Sequence, residues 1–161
     1  MTTIQSSVVG TNKKVAIIKA RFNEFITNQL HEGALATLGQ HDVQDDHIDT
    51  IVVPGAVEIV YAAKQAVESG HYDGVITIGA VIRGETPHFD YVCNIVSSGI
   101  TQLNTRENSN CPVVFGVITT NTNEEAIART GIKHDNQGSA AARAVLEMMN
   151  LDVKQHTTAL I

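Results

Sequence analysis

Four short, largely apolar runs punctuate this chain, at residues 15–18, 51–53, 74–82 and 113–118. Runs that lack polar alternation suit strands covered on both faces. Between them the apolar residues recur at helical spacing. Phe25, Ile26, Leu30, Ala34, Leu35 and Leu38 form the first such set, with Asn23 placed to cap it and Gly39 to stop it. Residues 56–69 read as a second helix, closed by Gly70, and residues 92–107 as a third. After the fourth strand, the hydroxyl and amide side chains of 119–123 suit the cap of a short helix over 124–130, which Gly131 ends. A last helix follows over 138–149, with Val145, Leu146 and Met149 inward. The order β-α-β-α-β-α-β-α-α predicts an α/β fold: a four-stranded parallel sheet with helices on both faces, joined by right-handed crossovers. Pro54, Pro87 and Pro112 all fall at predicted strand ends, where no ladder donor is lost.

In open parallel sheets, ligands bind beyond the carboxyl ends of the strands. The first strand delivers Phe22 there, and the second delivers Ala56, Val57 and Glu58. The third delivers Ala80, Val81 and Ile82 and then a polar loop within GAVIRGETPHFDYVCN, residues 79–94. Amides in such a loop and at the start of the next helix lack internal partners and suit an anion. His88 beside it is a candidate acid or base. An aromatic ring can stack on a flat heterocycle, and a carboxylate can accept from ring N–H groups. Each residue also has a plainer role open to it. Phe22 can staple its helix, and Glu58 can complement a helix dipole. Arg83 and Arg129 are further phosphate candidates, for which a structural ion pair and a surface salt bridge are the alternatives. The segment GIKHDNQGS, residues 131–139, suits a recognition loop or a helix–helix joint.

Composition narrows the function classes. A chain of 161 residues, 43% hydrophobic, fits one domain, with 1–12 as an extended arm or extra edge strand and 151–161 as a tail. The net charge of −6 and the scattering of eleven Lys and Arg argue against nucleic acid as a partner. No run is long enough to span a bilayer, and the N-terminus lacks the order of a secretory signal. Cys93 and Cys111 lie far apart and read as reduced thiols of a cytoplasmic protein. The seven His show no ligand spacing, so no metal site is expected.

The stretches ARFNEFIT (20–27), VPGAVEI (53–59), GAVIRGETPHFDYV (79–92), PVVFGVITTNTNEEAIARTG (112–131) and NQGSAAARAVLEM (136–148) resemble the lumazine synthase family. The third is the most specific, and together they cover most of the chain. The resemblance implies a flavodoxin-like three-layer sandwich whose N-terminal arm is suited to adding a strand to a neighbour. It implies a transferase of riboflavin biosynthesis. The reaction would condense 5-amino-6-(D-ribitylamino)uracil with 3,4-dihydroxy-2-butanone 4-phosphate to 6,7-dimethyl-8-ribityllumazine, phosphate and water. No metal or organic cofactor is implied. The implied assembly is a homopentamer, with an icosahedral shell of pentamers as its larger form and riboflavin synthase as a candidate partner.

Carried over by motif, Phe22 would stack on the pyrimidine, and Ala56, Val57 and Glu58 would hold its polar edge and ribityl chain. Ala80, Val81 and Ile82 would line the same pocket. Glu85 and Thr86 would meet the phosphate, and His88 would move protons. Phe115 and Arg129 would come from the neighbouring subunit, with Arg129 on the phosphate. Three positions depart from the family pattern: Val57 stands where an aromatic is common, Asp135 where glycine is frequent, and Gln137 where lysine is frequent. A non-catalytic flavin- or lumazine-binding protein, or a shell-forming one, is the alternative on the same fold. A phosphoacceptor receiver is disfavoured because the first strand ends in Lys19-Ala20-Arg21 rather than in acidic residues.

Overall fold

Every residue of strand β1 (Val15–Ala20) is buried, and the sheet is built outward from it. Strands β2 (Ile48–Val53) and β3 (Gly74–Ile82) pair in parallel with its two sides, and β4 (Val113–Thr120) pairs in parallel with β3. The strand order is β2-β1-β3-β4. The computed structural model describes residues 1–132 and 135–154. β1 and β3 are interior strands with helices above and below, which is why their sequences run apolar without alternation. β2 is an edge strand and only Val53 in it is buried. It therefore starts at Ile48 and carries Asp49 and Thr50, earlier than the apolar run at 51–53 suggests. An apolar run marks only the covered end of such a strand.

The two faces of the sheet bury separate apolar clusters. Ala16, Ile18 and Ala20 pack with Ile59 and Ala63 of α2 (Ala56–Ser69) and with Val92, Val96 and Ile100 of α3 (His88–Thr105). On the other face, Val15 and Ile17 pack with Leu30 and Leu38 of α1 (Glu24–Gln40) and with Val145 and Leu146 of α5 (Gln137–Asn150). The short α4 (Asn123–Ile127) adds Ala126 to this second cluster. The result is a three-layer α/β/α sandwich around a four-stranded parallel sheet. Helices α1 and α5 approach closely. A Cβ on Gly138 would lie 1.7 Å from the Leu30 carbonyl oxygen, so only glycine fits there.

Several boundaries differ from the sequence reading, each for a local reason. Asn23 does not cap α1 through its side chain. It sits at φ 58°, and its side-chain amide donates to the Ala80 carbonyl at 2.8 Å. It therefore clips the carboxyl end of β1 to that of β3. Gly39 lies inside α1, and the chain turns just beyond at Asp42, with φ 68°. Helix α3 starts at His88 rather than 92, because Pro87 at φ −64° leads directly into it. Thr122 caps α4 by accepting from the Glu125 N–H at 3.1 Å. Gly131, at φ 105°, breaks the turn that follows α4. Asn136 caps α5: its Oδ1 accepts from the Ser139 N–H at 3.1 Å. Its Nδ2 donates to the carbonyls of Gln29 at 2.9 Å and Thr130 at 3.0 Å, which ties the start of α5 to α1 and to the turn that follows α4.

Residues 1–12 form no strand within this subunit. The second half of the arm is held down: the Gly10 N–H donates to the His41 carbonyl at 2.7 Å, and Asn150 Nδ2 donates to Val9 O at 2.8 Å. Residues 133–134 of the segment after Arg129, and 155–161 of the expected tail, lie outside the described residues. No helix among the described residues is long and apolar enough to cross a membrane.

Candidate active site at the carboxyl edge of the sheet

The parallel pairing of β1 with β2 continues past both strands. The Arg21 N–H donates to Val53 O at 2.8 Å and the Phe22 N–H to Pro54 O at 3.0 Å. This ladder sets Phe22 at the carboxyl edge, beside the start of α2, and the residue is 70% exposed. A large aromatic presented at a sheet edge leaves a face free to stack on another flat group. Phe22 lines a cleft of about 480 Å³ together with Ala56, Val57 and Glu58 of the first turn of α2. Ala80, Val81 and Ile82 at the end of β3 form its floor, and Thr86 and His88 lie along its rim loop. Nine of the predicted site residues thus meet in one concavity of one subunit. Gly55, Gly84, Phe89 and Val92 also line it, and the residue-level reading had not singled them out as site residues. The signal for Phe89 and Val92 was Pro87: a helix started there puts both on the first two turns, beside His88.

The loop between β3 and α3 offers unpaired donors. The Arg83 N–H is spent on Thr120 O at 2.9 Å, and the His88 N–H reaches Thr86 Oγ1 at 3.4 Å. Among the described residues, no hydrogen bond engages the N–H groups of Gly84, Glu85 or Thr86. These amides precede a helix of eighteen residues, so its dipole adds to their attraction for an anion. Glu85 itself is exposed and lines neither concavity. Of the two arginines considered for phosphate, Arg83 is already engaged. It bridges to Asp90 at 3.2 Å and donates to Asn121 Oδ1 at 3.0 Å.

Phe115 and Arg129 are elsewhere. They line a second concavity of about 570 Å³ along the open edge of β4, with Thr119, Thr120, Glu125 and Gln137. Arg129 follows α4 on the turn Ala128–Ile132 and is exposed, and it forms no salt bridge among the described residues. The chain therefore carries an apolar cleft with the imidazole and a more polar groove with the free guanidinium, and among the described residues no residue lines both. The pairing Ile82↔Thr120 places the two side by side on the same edge of the sheet.

The thiols have the wrong character for nucleophiles. Burial pushes the half-buried Cys93 thiol up, with the Asp90 charge adding to the effect. Burial pushes the Cys111 thiol up to about 11. A thiolate nucleophile needs a shift in the other direction. His31 is half-buried on α1 and pairs with Thr50 at 2.8 Å, and lines neither concavity. Among the described residues, no group of three His, Cys, Asp or Glu is arranged to hold a metal. Residues 12–152 match the family model described as 6,7-dimethyl-8-ribityllumazine synthase.

Proposed function

Because the chain belongs to the 6,7-dimethyl-8-ribityllumazine synthase family, we propose that it joins 5-amino-6-(D-ribitylamino)uracil to 3,4-dihydroxy-2-butanone 4-phosphate. The observation that carries this reading is the convergence of the Phe22 ring, the His88 imidazole and three unpaired loop amides at one sheet edge. In this scheme the pyrimidine stacks on Phe22, and the backbone and carboxylate of 56–58 hold its polar edge and ribityl chain. The sugar phosphate lies against the amides of 84–86. The uracil's own amine attacks the ketone, so no enzyme nucleophile is needed. Loss of the first water gives an imine. A proton leaves the hydroxyl-bearing carbon beside the imine and phosphate leaves the terminal carbon next to it, forming an enol that takes up a proton at that terminal carbon to become a ketone. The ribityl-bearing nitrogen then closes the ring with loss of a second water. His88 carries protons between these states. Most of the acceleration comes from holding two reactants together.

Among the described residues, the cleft of one subunit lacks a cation free to neutralise the phosphate, and the groove of the same subunit has one in Arg129. We assign Phe115 and Arg129 to the site of an adjacent copy, in a ring that closes as a homopentamer. A heterologous contact of this kind generates a closed ring when the rotation between copies fits. Light scattering on the purified protein separates a pentamer from an icosahedral shell. The activity itself is tested by mixing protein with both substrates and following lumazine absorbance and free phosphate together. Equimolar formation of the two above the spontaneous rate is expected. No gain over the spontaneous reaction, with riboflavin bound tightly, would instead mark a carrier.

A further inference from the structure

His88 is the first residue of α3, and its imidazole has no hydrogen-bond partner among the described residues. Its direction is therefore set by the helical turn that carries it. One side chain grips that turn. Arg83 Nη1 and Nη2 donate to the two carboxylate oxygens of Asp90 at 3.4 and 3.2 Å. The Arg83 guanidinium carbon lies 4.2 Å from the centroid of the Phe89 ring. Nε donates at 3.0 Å to Asn121 Oδ1, in the junction between β4 and α4. Asn121 is itself fixed, because its N–H donates to Glu125 Oε2 at 2.7 Å. The two residues that follow His88 are thus held, one by charge and one by its ring face, to a point on the neighbouring strand's loop.

We propose that Arg83 is a positioning residue: it braces Phe89 and Asp90 against Asn121 and so fixes the turn that aims His88 into the cleft. The proposal rests on the reading of His88 as the proton carrier. Both members of the Arg83–Asp90 pair are well exposed, so their attraction adds little to global stability. Its effect falls on local geometry, where small misplacements of a reacting group are costly. Only a guanidinium does all three things at once. A planar fork meets a carboxylate with two donors, keeps a third for Asn121 and lays its face on a ring. Lysine supplies the charge alone.

Steady-state kinetics of Arg83→Met, Arg83→Lys, Asp90→Asn, His88→Ala and the double variant Arg83→Met/His88→Ala test this, with thermal melts to confirm folding. Arg83→Met is expected to lower kcat by about tenfold while both KM values stay within about twofold. Arg83→Lys should regain only part of that loss, and Asp90→Asn should show the same kcat-only signature. In the His88→Ala background, Arg83→Met should cost nothing further, because the group it aims is gone. A slow His88→Ala enzyme combined with an Arg83→Met enzyme as fast as the parent overturns the positioning role alone. So does an equal loss from Arg83→Met in both backgrounds. A His88→Ala enzyme at the parent rate overturns the proton-carrier reading, and the brace with it.

Discussion

The cleft and the groove share one sheet edge, yet they are built for different work. The cleft has an exposed aromatic ring, an apolar floor from β3 and an imidazole at its rim. The groove has a free guanidinium, hydroxyls and an amide along an unpaired strand edge. In the proposed scheme, ring stacking and proton transfer belong to the first, and phosphate recognition draws on the charge in the second. Two half-sites on one chain, each missing what the other has, make sense when copies meet cleft to groove. Their separation also predicts that damage to each half will appear in a different kinetic constant.

The largest effect should come from the groove. Arg129→Glu reverses the one free cation there among the described residues, and the KM for the phosphorylated substrate is expected to rise on the order of a hundredfold. Steady-state kinetics with the uracil saturating checks this, and an unchanged KM would remove the groove from the site. In the cleft, His88→Ala is expected to lower kcat about tenfold to a hundredfold, since one acid–base group is lost while positioning survives. A shift confined to the KM of the sugar phosphate would mean that the two halves are not divided as described. Phe22→Ala should raise the KM for the uracil about tenfold, the worth of one stack, and leave the KM for the sugar phosphate alone. Asn136→Ala removes the α5 cap and the bond to Thr130 O beside the Arg129 turn. A loss of about 1 kcal/mol in denaturant unfolding is expected, with only a few-fold rise in the same KM that Arg129→Glu affects.

The smallest effect comes from outside both halves and serves as a control. Burial holds the His31 imidazole below its ordinary pKa, with the Lys19 charge adding to the effect and Glu32 opposing it. The folded chain therefore takes up this proton less readily than the unfolded one. The contribution is fully present above pH 6.5, the ordinary value, and is lost as pH falls through that value toward the lower folded one. His31→Gln should flatten that acid loss in melts run across this window, with kcat and both KM values unchanged. A kinetic change would show that the site extends to the β2 side of the sheet.

The sequence made the two halves legible to different degrees. β3 and α2 were readable to the residue because their apolar runs end at glycines and a proline, and the residues beyond them do line the cleft. The start of β2 was hidden because an edge strand carries Asp49 and Thr50 without cost. The first turn of α3 was hidden because RGETPHF is polar, and periodicity says nothing about where a polar stretch becomes helical. The role of Asn23 was misread for a reason that spacing cannot reveal. Its amide reaches a carbonyl 57 residues away rather than its own helix. Arg83 does form a structural ion pair, the role its position suggested, but its partner Asp90, its ring contact and its tie to Asn121 became visible only once β3, α3 and β4 were set side by side. Phe115 and Arg129 gave no residue-level sign of which half they serve. The structure puts them together, away from His88.

Whether sites are shared between copies is tested most directly by mixing two disabled variants. One carries Phe22→Asp with His88→Ala and keeps its groove, and the other carries Arg129→Glu and keeps its cleft. With the sugar phosphate held near the parent KM, each should be nearly inactive alone. Co-assembled at equal amounts, they should regain about a quarter of the parent activity, the fraction of contacts at which an intact cleft meets an intact groove. Mixed assemblies no more active than the separate variants, with co-assembly confirmed by tag pull-down, would contradict the shared site and return all of the chemistry to a single chain.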